Sequence, residues 1–479
     1  MEKEQFDECL KRIAEAEAAA CTARDAKWTG HYIIRGCCHA LKGVILLLQR
    51  SFVQGIMTLG HAWALLRKAE AFCEDSGEKA LCEGTSSEIG VVRSVSLFIC
   101  GVVGLLGSLL PESIGGLGSF MAGIPVDRAL AVKRLEACWA ERGLLAPWAC
   151  AVALAYHVDV RFFLGEEVRA EDLRQCDIML QWALGRHRGS IIFSLLKANL
   201  AGLQSKNSTA LFWIDKCAEK IEQVPALGVI IHGQRAKFAA LSLSWNDAAA
   251  SFDRAADVNV ACGRRTMVPT LRFAAALCAI QANNGALAQQ RLASVRACAD
   301  LGKKDWQPSD RQALRKAAAY AASAEGLPPL LDLLELLELK LHALRRLEPD
   351  ALCQLLSAVE ATSPAPCVGL EARRLRFASE LARLLRRPAG EVSGRLEAAM
   401  AACQVAKAVS KETAEEVCKD ATEALVMYSL AEFQLESGQV AAALSSSRAM
   451  QRLCWRAEFW VSLSFKAATL ERRVRAFLS

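Results

Sequence analysis

Three windows of this chain share one spacing: a small residue, three positions, a large apolar residue, two positions, then a second small residue. In IIFSLLKANLAGLQSKNSTALFWIDKCAEKI (191–221) it is carried by Ala210, Ile214 and Cys217, with Ala198 as the small residue of the preceding helix. In VIIHGQRAKFAALSLSWNDAAASFDRAADV (229–258) it is carried by Ala248, Phe252 and Ala255, with Ala236 ahead of them. In ALVMYSLAEFQLESGQVAAALSSSRAM (424–450), Leu430-Ala431 and Ala443 take the corresponding places. Gly438 marks the turn, and Ser447 stands where a large residue is expected. The reason for such spacing is steric. Small residues sit where the two helices of a pair cross, and larger ones fill the gap to the next pair. One window arises by chance in Ala-rich amphipathic helices; three in one chain predict an all-α fold, a right-handed α-solenoid of antiparallel helix pairs.

Composition agrees. Hydrophobic residues make up 53% of 479 residues, aromatics only 6%, and 12 prolines punctuate the chain. Strand-type clusters of Val, Ile and Thr are scarce. The net charge of +6 is small for this length and does not by itself imply nucleic acid. The 19 cysteines are spread almost evenly with no C-x-x-C pair, and most stand among alanines and leucines, as small buried hydrophobes of a reducing compartment do. The N-terminal MEKEQFDECLKRIAEAEAAA is a charged amphipathic helix with no apolar h-region, so a cytoplasmic protein is the expectation.

The stretch Ser94–Val126 stands apart, with Glu112 as its one charge and seven glycines: Gly101, Gly104, Gly107, Gly115, Gly116, Gly118 and Gly123. A helix from Ser94 to Leu110 would be about 25 Å long, against roughly 30 Å of bilayer hydrocarbon. Its glycines equally suit close helix packing, so it is read as a buried hairpin broken at Pro111. Further on, helices are expected over 126–143 and 145–165, each stopped by a glycine. LPPLLDLLELLELKLHALRRL (327–347) opens on Pro328-Pro329 and has a narrow polar stripe of Asp332, Glu335, Glu338, His342 and Arg345, which predicts a helix buried between neighbours. The expected organisation is an N-terminal helical region with the hairpin (1–125), central helix pairs (126–325) and C-terminal pairs continuous with them (326–479).

In order and spacing these features resemble the tetratricopeptide repeat protein 39 family, which includes the fungal Iml proteins. The resemblance rests on the apolar block with Leu110-Pro111 and the Val126-Asp127 helix ending in Leu135. It also rests on Tyr156-His157 followed by Phe163-Leu164-Gly165, the 191–221 repeat, Trp245 before Ala248 and Phe252, the Pro328-Pro329 helix, and the 424–450 repeat. It spans about residues 5 to 477. Departures are the Gly-rich GGLGSFMAGIP and the 371–403 helix pair, which lacks the small–large–small pattern. On this resemblance the chain is expected to start within the family's first helix pair. The resemblance implies a tetratricopeptide scaffold or adaptor without a catalytic site, linked in general terms to protein turnover, lipid homeostasis, inclusion clearance and the cytosolic face of membranes.

No local motif points to catalysis. H-E-x-x-H, a P-loop and G-x-S-x-G are absent from the sequence, and Gly116-Leu117-Gly118 does not complete G-x-G-x-x-G. Cys37-Cys38-His39 is the one soft-ligand cluster, and consecutive helical residues do not converge on a metal. Tyr156-His157 lies in an apolar helix and reads as a core pair. No metal, cofactor or small-molecule substrate is therefore expected. The run EARRLRFASELARLLRRP (371–388) sets six arginines, Arg373, Arg374, Arg376, Arg383, Arg386 and Arg387, against Glu371 and Glu380. It reads first as a solvated solenoid helix. The sharper reading is a surface for an acidic partner or an anionic membrane, and nucleic acid ranks third because Phe377 is its one aromatic. The function expected is protein–protein interaction, alone or as a subunit of a larger assembly. The alternative is a peripheral protein of an organelle membrane, such as the mitochondrial outer membrane, held by 94–126 and the basic helix.

Overall fold

The computed structural model of the chain describes residues 3–22, 30–49, 51–75, 86–109, 127–166, 168–300, 307–322, 328–339, 343–362, 368–409, 422–454 and 460–477. Every regular element among them is helical. The chain divides into two compact units, Met1–Tyr156 and His157–Ser479.

The first unit contains α1 (Lys3–Thr22), α2 (Gly30–Leu48), α3 (Phe52–Asp75), α4 (Ser86–Ser108), α5 (Arg128–Ala140) and α6 (Ala146–Ala155). Its core gathers Ala40 of α2, Leu59, Ala62, Trp63 and Leu66 of α3, and Cys100 and Val103 of α4. Glycines let these helices approach. A Cβ on Gly43 would lie 2.7 Å from Leu59 Cγ, and one on Gly101 would lie 2.7 Å from Leu135 Cγ, closer than packed carbon atoms allow. The division places α5 with the N-terminal helices, at 156/157 instead of the 125/126 expected from the sequence. The cause is local: Gly101 and Gly104 of α4 bring α5 in at Leu135 and Ala131. Asp127 caps α5 by accepting from the Leu130 N–H at 3.0 Å, and Arg128 donates back to the Ser108 carbonyl at 2.7 Å.

Among the described residues one helix, Gly90–Ser108 within α4, is long and apolar enough to cross a membrane, with 39% of it buried inside the protein. From Ser94 to Leu109 each residue is buried or half-buried. The rest of the expected hairpin, 110–126, lies outside the described residues.

The second unit opens with a π turn, whose bounds Tyr156–Val160 straddle the division, and the short helix Arg161–Leu164, which ends at Gly165 with φ +74°. The helix expected over 145–165 is helical from 146 to 164, carries a π turn within it, and stops at Gly165 as expected. Then come α7 (Ala170–Arg186), α8 (Ile191–Leu203), α9 (Asn207–Ala218), α10 (Gly228–Leu241), α11 (Trp245–Ala261), α12 (Val268–Gln281), α13 (Gly285–Ala297) and α14 (Pro308–Ala322). The series continues with α15 (Pro329–Leu339), α16 (Pro349–Ala361), α17 (Val368–Leu384), α18 (Ala389–Val409), α19 (Thr422–Glu436), α20 (Val440–Cys454) and α21 (Trp460–Ala476).

Five helix pairs share one turn. α8/α9, α10/α11, α12/α13, α17/α18 and α19/α20 each reverse through a left-handed residue: Ser205, Leu243, Asn283, Arg386 and Gly438, with φ between 53° and 75°. Five residues later, or six after Arg386, a buried triad begins on the second helix. It is Ala210/Ile214/Cys217, Ala248/Phe252/Ala255, Ala288/Leu292/Val295, Val392/Leu396/Ala399 and Ala443/Ser447/Met450, all at most 2% exposed. Ser447 is small because α21 comes close; its hydroxyl donates to the Ala467 carbonyl at 3.4 Å. The 371–403 pair follows the same plan with Val392 at the first small place and Ser379 opposite, donating to the Val392 carbonyl at 3.1 Å.

Of the helix expected over 327–347, Pro329–Leu339 is helical and lies in the interior of this unit, while His342 of its polar stripe lies outside the described residues. All six leucines from Leu330 to Leu337, and Ala343, Leu344 and Leu347, are buried. α15 packs on α12 and α17. The turn beyond it reaches α9, where Asn207 donates its backbone N–H to Glu348 at 3.0 Å and its side chain to the Arg346 carbonyl at 3.4 Å. Leucine on every side suits a helix enclosed by protein.

Gly101→Ala is expected to destabilise the first unit by about 1–3 kcal/mol through overpacking. Gly90→Ala, with open space around its Cβ position, is expected to be neutral or to gain up to about 1 kcal/mol. Urea denaturation of the two variants checks the contrast.

Candidate functional site

α15 presents Asp332, Glu335 and Glu338 one turn apart, all buried. Burying three carboxylates demands partners, and α14 and α17 supply them. Lys316 donates to Asp332 at 2.8 Å and to Glu335 at 3.2 Å. Arg373 donates to Asp332 at 2.7 Å and also to Glu335, while the Tyr320 hydroxyl donates to Asp332 at 2.9 Å. Arg376 forks onto both oxygens of Glu338, and its Nε reaches Ser429 of α19 at 3.2 Å. Three cations thus meet three carboxylates.

A second cluster follows on α19. Glu432, 1% exposed, accepts from Arg345, from Arg383 and Arg473 at 3.2 Å each, and from the Tyr428 hydroxyl at 2.9 Å. Arg383 also holds Glu380 at 2.7 Å and Glu436. Burial alone would raise the Asp332 carboxyl, but Lys316 and Arg373 outweigh it and hold it well below the usual range. Glu380 is likewise pulled down, against burial, to about 2 by Arg383. Glu432 is lowered because Arg345 and Arg383 overcome its desolvation.

This arrangement corrects the surface expected of 371–388. Arg373 and Arg376 are buried, and Arg383 is spent on buried glutamates; Arg374 is tied to Glu371 at 2.6 Å. Arg386 and Arg387 are exposed, and Arg386 forms the left-handed turn. Arg373, Arg376 and Arg383 instead answer the acids of α15 and α19. The other singled-out residues lie elsewhere: Ala198, Ala210, Ile214, Cys217, Ala236, Ala248, Phe252, Ala255, Ala431 and Ala443 are buried, Leu430 is half-buried, and Gly438 is an exposed turn.

Beside the network lies a cavity of about 430 Å³. Glu166, Glu338, Arg345, Glu380, Tyr428 and Lys466 form its polar wall. Phe162, Leu173, Leu203 and Leu344 form its apolar wall, and the exposed Arg169 also borders it. No serine, cysteine or histidine lines it. Gly165 lets α21 approach here, since a Cβ on it would lie 3.3 Å from Lys466 Cγ. No group of three or more His, Cys, Asp or Glu suited to a metal occurs among the described residues. The cysteines described are free thiols, and burial pushes Cys278 up to about 12 and Cys217 up to about 11.

Sequence reasoning missed the cavity. One signal was available: Lys466 is the lone charge in WVSLSFKAATL, on the buried stripe of Leu463, Ala467 and Leu470.

Antiparallel helix pairs with a shared turn and a shared buried triad define a helical-repeat protein. The chain belongs to the Iml2/Tetratricopeptide repeat protein 39 family, whose model matches residues 33–340. No curated protein matches it by sequence. Among solved structures it is similar to yeast Tom70, at 10% identity over 99% of this chain and 95% of that one, with a TM-score of 0.32. It is also similar to the APC/C hetero-tetramer Cut9-Hcn1, at 12% identity over 97% of this chain and 87% of that one, with a TM-score of 0.28.

Arg376→Met is expected to destabilise the fold by about 3–5 kcal/mol, because Glu338 is left buried and unpaired. Adding Glu338→Leu should recover most of the loss. Arg386→Gly, at a turn with φ +57°, should change stability by less than about 1 kcal/mol. Urea midpoints of the set test the assignment of buried and exposed arginines.

The acids predict a pH dependence. With Asp332, Glu380 and Glu432 below the ordinary carboxyl value of about 4, the unfolded chain binds more protons between that value and the folded one. Their contribution is therefore complete above about pH 5 and is lost as pH falls towards about 2. Urea midpoints measured from pH 7 to pH 3 should drop mainly below pH 5.

Proposed function

We propose that this chain is a non-catalytic helical-repeat scaffold that binds a protein partner along the exposed starts of its first helices. The observation that carries this reading is a repeated apolar position. Ile192 and Ile230 each stand six residues before the crossing alanine of their pair, Ala198 and Ala236, and are 43% and 50% exposed. An exposed β-branched apolar residue at one place in successive repeats serves no packing need and suits a docking strip. The charged residues of greatest interest are already engaged in buried pairs, which favours a scaffold over an enzyme. Free buried thiols such as Cys278 fit a reducing, cytoplasmic setting.

The test is the double variant Ile192→Arg, Ile230→Arg, compared with the unaltered chain by affinity purification from the native cell. Surface changes of this kind alter stability by only about 0.5 kcal/mol, so thermal stability should hold while a stoichiometric partner is lost. Recovery of the same partners at the same yield by the folded double variant would rule the strip out.

A further inference from the structure

We propose that the cavity beside α19 and α21 is a binding site for a small organic monocarboxylate, with its carboxylate on Lys466 and its apolar body against Phe162, Leu173, Leu203 and Leu344. Lys466 is 7% exposed, lines the cavity, and makes no hydrogen bond or ion pair among the described residues. Its one direct contact of note is with the Tyr428 ring, 5.4 Å from Nζ to the centroid. An ammonium so deeply placed normally has a carboxylate beside it. The arginines of the adjoining network each hold a carboxylate: Arg376 holds Glu338, the half-buried Arg383 holds Glu380, and the exposed Arg345 holds Glu432. Burial accordingly pushes the Lys466 ammonium down from its ordinary value, and an anion in the cavity would relieve that cost.

The surroundings select the ligand's charge. Glu166, Glu338 and Glu380 share the polar wall, each already paired with an arginine, Arg161, Arg376 and Arg383 in turn. One unpaired positive charge then matches one negative charge, whereas a dianionic phosphate would bring an uncompensated charge against three carboxylates. Half of the wall is apolar, which suits a ligand with a short hydrocarbon or aromatic body, and Arg169 beside it adds positive charge that favours anion entry.

The experiment uses the full chain, with octanoate as probe and 1-octanol and octyl phosphate as comparisons, followed by calorimetry and thermal unfolding. Octanoate should bind and raise Tm in a concentration-dependent way. 1-Octanol and octyl phosphate should bind at least about tenfold more weakly, since each lacks the matched single charge. Lys466→Met should fold with Tm unchanged or raised, and lose at least about tenfold in octanoate affinity. Leu173→Trp, which fills the apolar wall while keeping Lys466, should lose binding as well. The proposal is overturned if octanoate does not bind, if octyl phosphate binds as well or better, or if either variant keeps full affinity. A fall in Tm for Lys466→Met would equally overturn it, by showing that the lysine is a structural partner. None of these readouts involves a protein partner, so they stand or fall apart from the scaffold reading.

Discussion

Everything in the second unit is arranged around carboxylates that have been taken out of water. A helix as apolar as α15 would gain by being enclosed, yet Asp332, Glu335 and Glu338 make enclosure costly unless cations arrive at hydrogen-bond distance. Lys316, Arg373 and Arg376 come from two different helices, so the match sets the rotation and depth of α14, α15 and α17 together. Replacing such pairs by apolar residues is often neutral for stability. Their value here is selectivity: α15 fits in one register, because a shift of a single residue would leave several charges unanswered. The second cluster repeats this logic around Glu432 and ties α17, α19 and α21 to the turn at Arg345.

The helix pairs were legible in the sequence where small residues mark the crossings. Ala198, Ala236 and the two complete triads gave the periodicity without any structure. Two further pairs escaped for a definite reason. In α12/α13 and α17/α18, Val295 or Val392 takes a place where a small residue is expected.

The charged residues show where reading by segment stops. The acidic stripe of 327–347 and the basic run of 371–388 were both visible, and each was interpreted alone, one as a buried helix with a narrow wet edge and the other as a surface. Arg376 and Glu338 are 38 positions apart, and nothing local says that one run is the counterion of the other. The cavity was hidden for the same reason, since Phe162, Leu203, Arg345 and Lys466 come from four distant parts of the chain. Lys466 alone left a trace, as a charge on the wrong face of an amphipathic helix.

The long-range contacts of Arg346 and Glu348 have a consequence for how the unit assembles. In an open repeat array each pair touches its neighbours only, so the array can be shortened or fold from any point. Here Arg346 donates to the Val158 carbonyl at 3.0 Å across 188 residues, and Asn207 meets Glu348 across 141. Such long closures are slow to form and are rewarded only when the far partner has been made. A nascent chain holding α8 to α13 alone would expose the apolar surface that α15 later covers, so this unit behaves as one cooperative body in which the early pairs wait for the late ones.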